Sequence, residues 1–116
     1  MLVGIQASKN FKDYNIFLRA MGTALSSMKS GDTEFTIMSA GPNNVNAHAM
    51  EFANISERSL KTRGIKIKVV KVPPSWFEKN MHDVDYFMYL SLPKETPSNL
   101  VRHAEDKDVD VAVYRY

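Results

Sequence analysis

Hydrophobic and polar positions along this chain follow two alternating rhythms. Residues 1 to 7, MLVGIQA, are a short apolar run, the pattern of a strand buried on both faces. Asp13 is placed to cap a helix in which Tyr14, Phe17, Leu18, Met21, Leu25 and Met28 recur at helical spacing, and KSGD closes that helix with Gly31. EFTIMS, residues 34 to 39, predicts a second strand. A longer helix from Asn44 then sets Val45, Ala49, Phe52, Ala53, Ser56 and Leu60 on one face. Gly64 ends it, and Arg58, Lys61 and Arg63 suit the negative pole at its carboxyl end. IKIKVVKV, residues 65 to 72, begins by alternating, which predicts a strand with one wetter face or a place at the sheet edge.

The prolines of PPSWF leave room only for a short helical turn near residues 75 to 81. VDYFMYLSL, residues 84 to 92, is almost wholly apolar or aromatic and reads as a central strand. Thr96 as N-cap with Pro97 at the first helical position opens a helix to about Lys107. VDVAVYRY supplies a last strand. Five strands alternating with helices predict an α/β fold, a single Rossmann-like three-layer sandwich over residues 1–116 with a mostly parallel five-stranded sheet.

Composition narrows the function classes. The chain has 116 residues, 44% hydrophobic and 24% charged, enough for one real core. Fifteen basic against thirteen acidic side chains leave a net charge of +2, too small to argue nucleic-acid binding from bulk charge. With no cysteine there are no disulfides, thiol nucleophiles or thiolate metal sites. No stretch approaches a membrane span, and the first residues lack the basic-then-apolar pattern of a signal peptide, so a cytoplasmic protein with no membrane partner is expected. His48, His82 and His103 lie far apart without paired metal spacing, so no metal site is expected.

In an open parallel sheet, ligands bind beyond the carboxyl ends of the strands. Four connections qualify: Gln6 to Asn10, Ala40 to Asn46, Lys71 to Trp76, and Ser91 to Thr96. The first offers Ser8 and Lys9, a hydroxyl and a cation. The second offers Gly41, Asn43, Asn44 and Asn46 at a helix N-terminus, where unpaired N–H groups attract anions. The fourth offers Ser91 and Thr96 at another helix start. Three of these loops converge if the first and fourth strands are neighbours. The same residues also have purely structural uses: Asn43 and Asn44 as turn and cap residues, Lys9 as a solvated lysine, Thr96 as a cap. Asp83 and Asp85, near the start of the fourth strand, are at the wrong end for a site and read as solvated or capping. Trp76 and Phe77 form either a ligand wall or an apolar plug under the sheet edge.

The order of these loops resembles the SLOG superfamily, the Rossmann-like group that includes cytokinin-activating LOG enzymes and DNA-processing DprA proteins. The nearest likeness is to its small YspA/YpsA-like branch, found in bacteria and phages. Where that branch has Gly-Gly-Arg-Asp-Phe after the first strand, this chain has Ala7-Ser8-Lys9-Asn10-Phe11. Where it has a His-Gly-Gly-Ala-Arg-Gly-Ala-Asp run before an Ala-rich helix, residues 39 to 46 read SAGPNNVN, with Ala47, Ala49 and Ala53 following. Gly41 keeps one of the paired glycines, and Asn46 replaces the acidic residue. Gly64, PPSW and Lys79-Asn80-Met81 follow in the branch's order, and YFMYLSLPKETPSNLVRHA matches its last strand, loop and helix in outline.

The departures shape what the resemblance implies. The first loop has lost both glycines and the fourth-strand loop has lost its own, so side chains narrow a pocket that glycines would open to phosphate. LOG-type hydrolases carry a glutamate shortly after a Gly-Thr pair; here Ser98 or Asn99 lies nearby, and Glu95 precedes the threonine. Phosphoribohydrolase activity is therefore not expected, and no catalytic residue is assigned. The expected function is binding of a nucleotide or nucleotide-derived ligand through Ser8, Lys9, Gly41, Asn43, Asn44, Asn46, Ser91 and Thr96, with no further cofactor. The alternative is a degenerate family member, a phage accessory protein that docks on a host or phage protein. A weaker alternative is single-stranded nucleic-acid binding along Lys61, Arg63, Lys66, Lys68 and Lys71. The resemblance also implies homo-oligomerisation, since many of these proteins dimerise through helices.

Overall fold

A computed structural model describes residues 1–96 and 98–115. The elements are β1 (Leu2–Ala7), α1 (Tyr14–Ser26), β2 (Glu34–Ser39), α2 (Asn43–Thr62), β3 (Lys66–Lys71), α3 (Pro74–Asn80), a 3-10 turn (Met81–Asp83), β4 (Tyr86–Ser91), α4 (Asn99–Asp106) and β5 (Asp110–Arg115). All five strands are parallel, in the order β3-β2-β1-β4-β5. The sandwich is Rossmann-like, as the alternation of periods requires.

Each helix end has a local cause. Asp13 caps α1 as expected, its Oδ1 accepting the Ile16 N–H at 3.2 Å; such a cap contributes about 1 kcal/mol. Gly31 does not close α1. The helix stops at Ser26, where the Ser26 and Ser27 hydroxyls both donate to the Thr23 carbonyl, at 2.7 and 3.1 Å, and compete with the helical ladder. Gly31, at φ +98°, turns the following loop instead. Gly64 (φ +75°) does end α2: its N–H reaches the Lys61 carbonyl and the Ile65 N–H reaches Leu60, the paired bonds of a Schellman motif. α4 begins later than the Thr96 pattern predicts. Ser98 is its cap, accepting the Leu100 N–H at 3.0 Å, because its hydroxyl lies in register with the first helical turn. Pro97, expected at the first helical position, and Tyr116, expected to end the last strand, lie outside the described residues.

Two cores lie on the two faces of the sheet. α1 and α2 cover Val3, Ile5, Phe35, Ile37, Met88 and Leu90, with Phe17 and Phe52 meeting edge to face at 6.3 Å. α3, the 3-10 turn and α4 cover Met38, Phe87 and Tyr89. Phe77 is the plug of this second core, but it sits under the middle of the sheet and not its edge. It is fully buried, 5.2 Å from the Phe87 ring, and it occupies the space over Gly4 of β1. A Cβ at Gly4 would come within 2.5 Å of the Phe77 ring and 2.8 Å of Phe87, so glycine in this central strand makes room for the ring. β4 is buried at every position, while β3 alternates and takes the edge.

Candidate functional site

Strand order reverses between β1 and β4, and the connections leaving these neighbours go to opposite faces of the sheet. This switch point is where an open α/β sheet forms its ligand crevice. The loops after β1, β2 and β4 do meet here. The Ala7 N–H donates to the Gly41 carbonyl at 3.2 Å, and the Ser8 N–H to the Leu90 carbonyl at 2.8 Å. The Ser8 hydroxyl then accepts the Leu92 N–H at 3.3 Å, continuing the ladder by side chain while its own carbonyl turns to Phe11.

The polar residues singled out from sequence divide into two groups. Ser8, Asn44, Asn46 and Ser91 are engaged within the protein. The Asn44 amide donates to the Phe11 carbonyl and so ties the loop after β1 to the start of α2. Asn46 accepts from the buried hydroxyl of Ser39, fastening α2 to the end of β2. Ser91, fully buried, donates to the Leu92 carbonyl at 2.9 Å. Lys9, Asn43 and Thr96 are exposed. Asn43 and Asn44 are not caps: Pro42 takes the N-cap position, so they occupy the first helical turn and no side chain caps α2. Gly41, at φ +90°, makes the bend that brings this helix start beside β1, through a cis peptide bond to Pro42.

Among the described residues, three not singled out as site residues carry buried polar atoms without a hydrogen-bond partner: Gln6 Oε1, the Tyr14 hydroxyl and His48 Nε2. Gln6, the last but one residue of β1, lies on the α3/α4 face. Tyr14 opens α1, and its ring lies 4.8 Å from that of His48 in the second turn of α2. Buried polar groups ordinarily find partners, so such atoms mark places where a further group fits. Burial, with the Glu51 carboxylate adding to it, pushes the Tyr14 hydroxyl above its ordinary pKa. The signal for Gln6 was available, a polar side chain in an otherwise apolar strand. Tyr14 and His48 were hidden because an aromatic stripe at helical spacing reads as core.

The largest concavity, about 460 Å³, runs along the outer side of α4 from Ser98 and Asn99 to Glu105 and Asp106, and others lie at the amino edge of the sheet. One of about 320 Å³, lined by Thr33, Glu34, Lys61, Gly64, Ile65 and Lys66, sits where α2 ends and β2 and β3 begin. Another of about 240 Å³ lies at the same amino edge between Met1, Asp32, Asp85 and Asp110. Asp85 has a structural task there, its Oδ2 accepting the Leu2 N–H at 2.8 Å. The lysine row is divided by the strand's alternation: Lys66 and Lys68 share a face with Val70 on the α3/α4 side, while Lys71 points to the opposite side. Among the described residues, no helix is long and apolar enough to cross a membrane.

Comparison with protein-family models, characterised proteins and solved structures found no match. The SLOG resemblance therefore rests on the order of motifs within the chain.

Proposed function

We propose that this protein binds a small nucleotide-type anion at the β1/β4 switch point, without turning it over. One observation carries the reading: exposed Lys9 stands in a loop hydrogen-bonded to the loops on either side, beside the uncapped N-terminus of α2. A cation and the positive pole of a twenty-residue helix on one edge favour a phosphate or carboxylate. Exposed Asn43 and Thr96 supply polar contacts on either side, and the unpartnered Gln6 oxygen suits an N–H donor such as a base amine. Binding without turnover fits an edge whose serines and asparagines are largely committed to its own loops.

A thermal-shift screen against nucleoside monophosphates, cyclic nucleotides, dinucleotides and ADP-ribose-type compounds tests this. A ligand at a hundredfold excess over its Kd stabilises the fold by about 2.7 kcal/mol, several degrees for a domain of this size. Lys9→Ala, at an exposed position, should abolish the shift and leave the unliganded midpoint unchanged. A flat screen sinks the proposal.

A second reading, docking on a partner protein, is favoured by the internal commitment of Ser8, Asn44, Asn46 and Ser91. It predicts partner capture that survives Lys9→Ala and Asn46→Ala in folded protein.

A further inference from the structure

The sheet edge at β3 presents different chemistry on its two faces. β3 is the outermost strand beyond β2. The Lys66 and Val72 N–H groups turn inward, to the Thr33 and Ser39 carbonyls at 2.8 and 2.9 Å. Backbone direction alternates along a strand, so the N–H and C=O groups of Ile67, Val69 and Lys71 point outward from the sheet. On the α3/α4 side of this edge Lys66 and Lys68 are exposed. Among the described residues neither has a carboxylate within salt-bridge distance, although Glu34 lies in register beside Lys66. On the α1/α2 side, Ile67 and Val69 floor a groove of about 190 Å³ whose other wall is a stripe of α2 with Met50, Ala53 and Glu57. Met50 is 47% exposed. The same groove reaches Lys68, whereas Lys71 shares its face without lining it.

We propose that β3 docks an extended segment of a partner protein in which acidic and aliphatic residues alternate, the segment adding to the five-stranded sheet as a sixth strand. The outward backbone groups of Ile67, Val69 and Lys71 supply the main-chain bonds of such an addition, and side-chain chemistry selects the sequence. Successive side chains of a strand go to opposite faces. One set therefore lies on the side of Lys66 and Lys68, where carboxylates meet two ammonium groups. The other set enters the Met50 groove, where aliphatic groups leave water. Glu57 borders that groove and repels an acidic side chain there, which fixes the alternation. Lysines close an edge to neutral strands and to copies of itself; toward an acidic strand the same charges attract. A nucleic-acid strand would meet the same lysines, but the groove's described lining is aliphatic with a carboxylate and holds no aromatic ring for a base to stack on. The proposal is independent of any ligand at the switch point.

The test uses the full chain and a fluorescent peptide of alternating glutamate and valine, long enough to span the six residues of β3. One strand pair is a small interface, so anisotropy at low salt should give a Kd of about 10–500 µM. Raising salt from about 0.1 to about 1 M should weaken it severalfold. A peptide of the same composition with its glutamates in one block, and an alternating lysine–valine peptide, should each bind about tenfold more weakly or worse. Lys68→Glu and Met50→Glu, both at exposed positions, should each raise Kd by about tenfold or more, while Lys9→Ala should leave it in place. Saturating peptide should slow hydrogen exchange of the Ile67, Val69 and Lys71 amides. No binding at about 1 mM peptide overturns the proposal, as does equal binding of the blocked peptide. Tighter binding of single-stranded oligothymidylate, with those three amides unprotected, overturns it in favour of a nucleic-acid surface.

Discussion

The β2/β3 flank and the β4/β5 flank are left open by the same topology and finished differently. Right-handed crossovers put α1 and α2 on one face and α3 and α4 on the other. Two helices cannot cover five strands, so each face keeps a less covered flank. On the α3/α4 face this flank is polar, with exposed Glu34, Lys66 and Lys68 and partly exposed Thr36. On the α1/α2 face it is β5, with Ala112 and Tyr114. What each flank tolerates is set by coverage, and what it attracts is set by side-chain chemistry. Charge closes the first flank; nothing of the kind closes the second.

The largest expected effect tests coverage. Phe77 seals the α3/α4 face at the middle of the sheet, between Gly4 and Phe87. Phe77→Ala should destabilise by about 3–5 kcal/mol, whereas Thr36→Ala on the open part of the same face should stay within about 0.5 kcal/mol. Similar urea midpoints for the two variants would mean that coverage does not distinguish them. Gly4→Ala comes next. Its methyl group would collide with both rings, so a cost of about 1–3 kcal/mol is expected. Phe77→Leu in the Gly4→Ala background should recover part of it, because the smaller side chain vacates the space.

This contrast shows what was legible in the sequence. The fold was readable because each element carries a strong period: β2 matches its expected bounds, the uninterrupted apolar run of β4 is an interior strand, and the alternation of β3 is an edge. Gly64 was readable as a helix end because a positive φ favours glycine, whereas Gly31 carried the same signal for a turn five residues beyond its helix. The meeting of three loops followed from the strand order. The division of labour within them did not. Whether an asparagine donates to a neighbouring loop, as Asn44 does to Phe11, or faces solvent, as Asn43 does, depends on a rotation of about 100° along the helix and on a partner 33 residues away. Phe77 was legible as a plug, but its place under mid-sheet needed Gly4, whose role is visible only once β1 lies over α3.

A smaller effect sharpens the β5 side. Burial, then the neighbouring Tyr114 hydroxyl and the Asp110 carboxylate, push the Tyr86 hydroxyl up to about 12. An unfolded tyrosine titrates near 10. Below pH 10 both states hold the proton and this contribution to stability is intact. From pH 10 to about 12 the unfolded chain releases its proton first, so stability falls as pH rises. Urea midpoints measured across that window should decline less for Tyr86→Phe than for the parent, and tyrosinate absorbance should show one group ionising last. Parallel declines would remove Tyr86 as the cause.

The smallest effect on stability should accompany a clear effect on association. Lys66→Val with Lys68→Val removes two exposed charges from one face of β3. Their combined effect on unfolding should lie within about 0.5 kcal/mol, since valine suits a strand and the replaced ammonium groups have no carboxylate within salt-bridge distance among the described residues. The altered edge is then uncharged over most of its length, like β5, and the variant should scatter light or form larger species at concentrations where the parent does not. Salt supplies an independent handle. Raising ionic strength from about 0.1 to 1 M shortens the screening length from about 10 to 3 Å, so concentrated salt should move the parent part of the way toward the variant. If the variant stays as dispersed as the parent at every salt concentration, the lysines are not what keeps β3 closed, and the difference between the two edges must lie in backbone geometry instead.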